Sequence, residues 1–343
     1  MLVSILLELA IPALAASEQA GVYGVEYLHI RLLAAPAFFV FCTTRETSYA
    51  LGDSRAPMAA SVLANIVNIS LDYVFIVKLD YGPAGAAWAT FAATFLEAGV
   101  VLWLRNAPGL RSLRRGVVWL RAILQVGLAT GLQFAVEVGA FTLLTILIAA
   151  MSETEMAAHQ VALCVIHFAF LPMVAIGEAA SVMVGQAVGA DHDELVPVVA
   201  LYAVAVGASY ALLCTIVLAL GAPEIAGLFG EDIPVRESAT GLLYLAAVFQ
   251  VGDAFNITAR SILRGTGDVR YPAIVGVGVS WLALPPLTWF FGYELGLGAM
   301  GAWLGITCEI FTVAAILWWR LWGGGWRPSA SKSRALLHLS LIH

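Results

Sequence analysis

Charge is what this 343-residue chain lacks. Only 12% of its residues are Asp, Glu, Lys or Arg, against 61% hydrophobic. A soluble domain carries roughly twice that charged share. So little polar material cannot cover a water-facing surface, which excludes a soluble globular protein and points to lipid as the main solvent. The four cysteines (Cys42, Cys164, Cys214 and Cys308) all sit inside apolar runs without metal-ligand spacing, so they read as small packing residues rather than disulfides or metal ligands. No GxxxxGK[ST] is present, which argues against an ATP-driven pump, and neither HExxH nor GxSxG occurs. The net charge of −6 decides little, because in a membrane the placement of charge matters more than its sum.

What is present is apolar length. Ten segments stand out, at about 2–16, 28–44, 56–77, 83–104, 117–150, 156–188, 195–221, 238–263, 270–292 and 298–319. A helix needs roughly 20 residues to cross the hydrocarbon core, and most of these reach that length. The segment at 28–44 reaches it only if extended through its turn. The first segment is short, carries Glu8 in its middle and lacks the basic flank of a signal peptide, so it reads as a shortened helix. When segment ends are placed on alternate sides, 14 of the 17 Lys and Arg fall on one side, and Arg31, Lys78 and Arg236 on the other. That bias makes the first side, with the carboxyl terminus, cytoplasmic.

One turn recurs. GDSRAP at 52–57 is followed by an apolar helix and GPAGAAW at 82–88; GDVRYP at 267–272 is followed by an apolar helix and GAMGAW at 298–303. Both copies lie on the same sides of the membrane, which describes a parallel repeat of two like halves. In each turn Gly lets one helix stop and Pro starts the next, while Asp caps the new helix and Arg anchors the turn to anionic headgroups. The basic stretch RNAPGLRSLRRGVVW (105–119) joins the halves. The expected organisation is therefore all-α and polytopic, with two pseudo-symmetric bundles: a partial amino-terminal lobe over 1–104, a linker at 105–116, a carboxyl-terminal lobe over 117–322 and a tail at 323–343. Six segments follow the linker and four precede it, so the chain is expected to hold about ten of twelve helices, with its amino end incomplete.

GTGD at 265–268 also matches the Gly-x-Gly-Asp signature of an intramembrane aspartyl protease. That chemistry needs two facing carboxylates sharing a proton. Asp268 lies between Arg264 and Arg270, and its counterpart Asp53 lacks the first Gly of the signature, so the protease is the weaker alternative.

Carboxylates inside a membrane are costly, about 2.5–3.5 kcal/mol each on insertion scales, and each is a functional candidate. The mid-segment acids are Asp72, Glu97, Glu137, Glu178, Asp253 and Glu309. Asn65, Asn68 and Asp72 share one helical face, with Thr90 on the next helix; these are the oxygen donors that a hard cation accepts. Gln133 and Glu137 lie four apart, and Gln250, Asp253 and Asn256 form a second stripe. Such amides also serve as interhelical glue, a role that does not require the ionisable members. Glu97, Glu178 and Glu309 lack amide companions and stay open between the two readings. His159 and His167 read as packed helix residues. Phe134, Phe141 and Phe255 could face a flat organic cation or simply pack.

YLHIR at 27–31, GDSRAP with NIVNISLDY at 65–73, GPAGAAWAT at 82–90, AAHQVA at 157–162, GEAASVMVGQAVGA at 177–190, LRGTGD at 263–268 and GAMGAW resemble the multidrug and toxic compound extrusion (MATE) transporters, in that family's order over almost the whole chain. The resemblance implies twelve helices in two six-helix lobes around a cavity that opens alternately to each side. It also implies export of organic cations in exchange for H⁺ or Na⁺, with no other cofactor. Asn68, Asp72 and Thr90 then fall on an amino-lobe cation or proton site, whose usual partner is an acid of the family's first helix. Glu137 falls on the seventh-helix acid and Asp253 on the tenth-helix acid of the branch typified by norfloxacin exporters, with Gln133 and Asn256 beside them. The expectation is a monomeric antiporter, multi-pass in the cell membrane, with no enzymatic activity and no nucleic-acid partner. A lipid-linked precursor flippase of the same superfamily is the alternative, and it would need a basic cavity.

Overall fold

The computed structural model describes residues 18–105 and 113–342. Every regular element among them is helical: α1 (Glu18–Leu33), α2 (Ala35–Ala50), α3 (Arg55–Asp72), α4 (Gly82–Leu104), α5 (Leu113–Ala149), α6 (Glu153–Gly189), α7 (Leu195–Gly227), α8 (Ile233–Gly265), α9 (Arg270–Thr288), α10 (Gly298–Trp322) and α11 (Arg327–Ile342). Helices α3 and α9 each run on into a π-helical turn, Tyr73–Lys78 and Trp289–Glu294. Among the described residues eight helices are long and apolar enough to cross a membrane, or nine if the bent pair α1–α2 counts as one span. The expected segment at 2–16 lies outside the described residues.

The expected single span at 28–44 is instead that bent pair, with a 50° change of direction between Leu33 and Ala35. Pro36 in the first turn of α2 explains the break, because it has no N–H for the preceding turn and its ring crowds the carbonyl four residues back.

The chain divides into two compact units, Met1–Val118 and Trp119–His343. In the second unit α8 is the axle, packed by α6, α7 and α10, while α9 lies against α10. The most apolar window of α8 is 67% buried and that of α10 is 61%, against 22% for α7. Short side chains bring these helices together: Ala239, Ala246 and Ala247 of α8 pack with Ala158 and Ala162 of α6 and Ala299 and Ala302 of α10. Without a hydrophobic drive between helices in lipid, such close approach supplies the attraction. At Gly301 a Cβ would run into the backbone of Phe291 and Gly292, so only glycine lets α10 meet the π-helical turn.

The repeat is visible in bonds as well as in letters. Asp53 accepts from Arg105 Nη1 at 2.9 Å, and Asp268 accepts from Arg320 Nε at 2.9 Å. Each pair ties a GD turn to the far end of the second helix beyond it. Asp53 also accepts from the backbone N–H of Arg55, at 3.0 Å, as a cap would. Gly52 and Gly267 hold φ of 77° and 81°, a backbone that needs glycine. Pro57 and Pro272, expected as first helical residues, stand two residues further in, since α3 and α9 begin at Arg55 and Arg270. A first turn has no internal acceptor for those N–H groups, so proline costs nothing there either.

The expected tail is a helix. Trp326, just before α11, and Ala330 within it are buried in the second unit's core; Ser329 donates to Asp268 at 3.3 Å, and Arg334 reaches Asp191 at 3.3 Å and Asp193. The helix therefore straps the α6–α7 loop to the GDVR turn.

The backbone N–H of Ala56, and then the Arg105 guanidinium, hold the Asp53 carboxyl below its ordinary value. Its contribution is therefore present above the ordinary aspartate value and is lost as pH falls through the lower folded one. Asp53→Asn should melt earlier than the parent at neutral pH and equally with it in strong acid, as measured by thermal unfolding in detergent. Asp268→Asn, at the more buried pair, should cost about 2 kcal/mol at neutral pH.

Candidate functional site

Three helices of the second unit bring charged side chains together, and a fourth lends a serine and a glycine. Glu137 of α5 accepts two bonds from Arg260 Nη1 of α8, at 3.0 and 2.9 Å, and a third from Gln133 Nε2, one turn back on α5, at 3.0 Å. Glu309 of α10 accepts from Ser280 Oγ of α9 at 2.7 Å. Asp253, two turns before Arg260 on α8, is 5% exposed and lies within electrostatic reach of both Arg260 and Glu309. Glu309 in turn feels Arg260 and Glu137. One carboxylate thus pairs with the guanidinium, and two more lie in its field. The room for this comes from Gly276 of α9, where a Cβ would stand 2.5 Å from Glu137 Oε1 and 2.9 Å from Arg260 Nη2.

The sequence-based expectations divide accordingly. Gln133 and Glu137 are bonded, as their spacing implied. Glu137 and Asp253 are not in direct contact: Arg260 is the charge that both of them meet. Gln250 and Asn256 flank Asp253 on α8, both buried, and each has a carbonyl oxygen without a partner. Arg260, counted above with the cytoplasmic arginines, turns inward to Glu137 instead. The sequence reading left Glu309 open, counted Arg260 with the cytoplasmic arginines and did not single out Ser280; only packing makes the three neighbours.

In the first unit Asn68 Nδ2 reaches Thr90 Oγ1 at 3.5 Å, the edge of hydrogen-bond range, while Thr90 itself bonds back to Ala86 O. Asp72, one turn on, has a buried Oδ1 with no donor. Asn65 does not join them, since its amide bonds Ser61 O. Glu97 accepts from Ser61 Oγ at 2.6 Å, and Glu178 pairs with Arg264 at 2.6 Å on an exposed face.

His159 is packed as expected: Trp303 Nε1 donates to Nδ1 at 3.1 Å, leaving Nε2 beside Thr145 Oγ1 at 3.4 Å. His167 is exposed, against expectation. Phe255 packs edge-on against Trp318, whereas Phe134 and Phe141 are exposed. The protease geometry is absent, because Asp53 and Asp268 are each held by their own arginine. Among the described residues no group of three His, Cys, Asp or Glu could hold a metal ion.

Chemically, three acids and one arginine leave an excess of two negative charges if all ionise, and an apolar bundle cannot leave that excess uncompensated. Protons or cations must supply the balance.

Comparison with known proteins gives a match to the MatE family model over residues 129–290. The chain is 31% identical over 303 residues to a probable multidrug resistance protein NorM of Pseudomonas syringae pv. tomato, covering 83% of this chain and 65% of that protein. It is 27% identical over 317 residues to the multidrug resistance protein MdtK of Edwardsiella ictaluri, covering 85% and 67% respectively. The chain thus spans less than two thirds of the length of the NorM relative. In fold it is similar to a MOP superfamily transporter from Pyrococcus furiosus (TM-score 0.83, 22% identity, 96% of this chain and 74% of that one). It is also similar to the eukaryotic MATE transporter AtDTX14 (TM-score 0.83, 20% identity, 97% and 77%).

Trp303→Phe should strand His159 Nδ1 in the core. We expect a loss of about 1–3 kcal/mol, the cost of a buried polar group left without its partner, read from thermal or denaturant unfolding. His167→Phe, at an exposed site, should change stability little.

Proposed function

We propose, from the premise that this chain belongs to the multidrug and toxic compound extrusion (MATE) family, that it carries the exchange site of a secondary antiporter exporting organic cations against H⁺ or Na⁺. The observation that carries the reading is the acid-rich cluster of the second unit, with Glu137 and Asp253 as its coupling acids. A proton or sodium ion and an organic cation neutralise the same negative charge, so each binds poorly while the other is present. That competition makes the exchange obligatory. Gln133 orients Glu137, and the free amide oxygens of Gln250 and Asn256 can accept from a bound cation or its water. Asn68, Asp72 and Thr90 form a second oxygen-rich place for a cation or proton in the first unit.

The excess of negative charge favours cationic cargo over an anionic lipid-linked precursor, which would call for a basic site. The multidrug resistance names of NorM and MdtK favour the same cargo class. The lysine and arginine bias supports GD turns and a carboxyl terminus facing the cytoplasm, in a multi-pass protein of the cell membrane that works as a monomer.

Glu137→Gln keeps shape and hydrogen bonding but cannot ionise, and Asp253→Asn does the same at the other acid. In vesicles bearing the full-length transporter, each variant should lose at least tenfold in gradient-driven efflux of a cationic dye while being inserted normally. The double variant should be little worse than either single one. Wild-type efflux that persists without any ion gradient would defeat the antiport reading.

A further inference from the structure

Arg260 is the one charge in the cluster that an exchanger of cations has no evident need for. It makes a two-pronged bond to Glu137, the very group proposed to receive cargo. Yet its bonding is incomplete: Arg260 Nε is buried with no acceptor. An arginine with a buried, unspent donor beside two further carboxylates has a second arrangement within reach. Asp253 and Glu309 both lie in its field, and among the described residues Ser280 is the one donor to Glu309. On the other faces of α8, Glu178 of α6 is engaged by Arg264, and α7 brings no charged side chain between Leu195 and Ala222. Both partners of the pair lie directly against Gly276, so the absence of a side chain there is what seats them.

We propose that Arg260 is a tethered competitor of the exported cation: it occupies Glu137 when no cargo is bound, and arriving cargo displaces it onto Asp253 or Glu309, expelling the proton held there. The step balances. Before it, Glu137 is neutralised by Arg260 and the second acid carries a proton; afterwards Glu137 is neutralised by the cargo, the second acid by Arg260, and one proton has left. Glu309 thereby becomes a working member of the site, and Ser280 its positioning residue. This rests on the antiporter reading for the identity of the displacing cation, but the switching of Arg260 can be tested without cargo.

The probe is dicyclohexylcarbodiimide, which modifies protonated carboxyls in apolar surroundings, with labelled peptides quantified by mass spectrometry on the purified chain in lipid nanodiscs near neutral pH. In the parent, Asp253 or Glu309 should be labelled and Glu137 protected. Glu137→Gln releases Arg260 to the second acid, so labelling there should fall severalfold. Arg260→Gln should do the opposite and expose Glu137 to the reagent. Gly276→Ala touches no charge but crowds the pair off its ground, and should shift labelling in the same direction as Glu137→Gln. Adding tetraphenylphosphonium to the parent should mimic Glu137→Gln. Should it have no effect while the variants behave as stated, the organic-cation reading fails and the switch stands. Absence of label on both Asp253 and Glu309 in the parent would overturn the proposal. So would labelling that Glu137→Gln and Gly276→Ala leave unchanged.

Discussion

A guanidinium paired with a carboxylate inside a helix bundle sets the terms for everything around it. Lipid cannot hydrate a charge, so either partner of this pair left without a counter-charge would be stranded. While Arg260 and Glu137 are paired, they fix α5 against α8 at that level. Matching them demands space on α9, and Gly276 supplies it. The remaining acids, Asp253 and Glu309, are left with less than a full counter-charge. On the proposed reading, this shortfall is what distinguishes the cluster from a purely structural ion pair.

The rest of the second unit serves to hold that cluster still. α8 is buried along most of its length because three helices close on it through alanines and glycines. At one end the GDVR turn is clamped by Arg320 and strapped by α11; at the other, α9 ends in a π-helical turn on which Gly301 rests. The first unit repeats the clamp with Asp53 and Arg105 and the π-turn at Tyr73–Lys78. The repeat preserves these corners rather than the charged interior. Arg45 holds in the first unit the place that Arg260 holds in the second, yet it pairs with its chain neighbour Glu46, at 2.8 Å, and not with an acid of another helix.

Much of this was legible from the letters. Apolar length gave the helices, and the two GD turns gave the repeat, because both are properties of neighbouring residues. The spacing of Gln133 and Glu137 foretold their bond for the same reason. What the sequence could not carry was contact across helices. Arg260 was counted on the cytoplasmic side, and nothing local says that it turns toward α5. Glu309 looked isolated because its partners, Ser280 and Arg260, belong to α9 and α8. The role of the GD aspartates was half legible: the cap is local, while the arginine that holds each of them stands 52 residues away. Pro36 was visible, but the sharp bend it imposes was hidden inside a continuous apolar run.

The central claim is that cargo and coupling ion contend for one set of carboxylates. Its most direct test is the equilibrium binding of tetraphenylphosphonium to the protein in nanodiscs, measured as the pH is lowered from neutral and, separately, as sodium is added. The account predicts that affinity weakens steadily with at least one of the two ions, with a slope near one ion per cation bound. An affinity indifferent to both would contradict it.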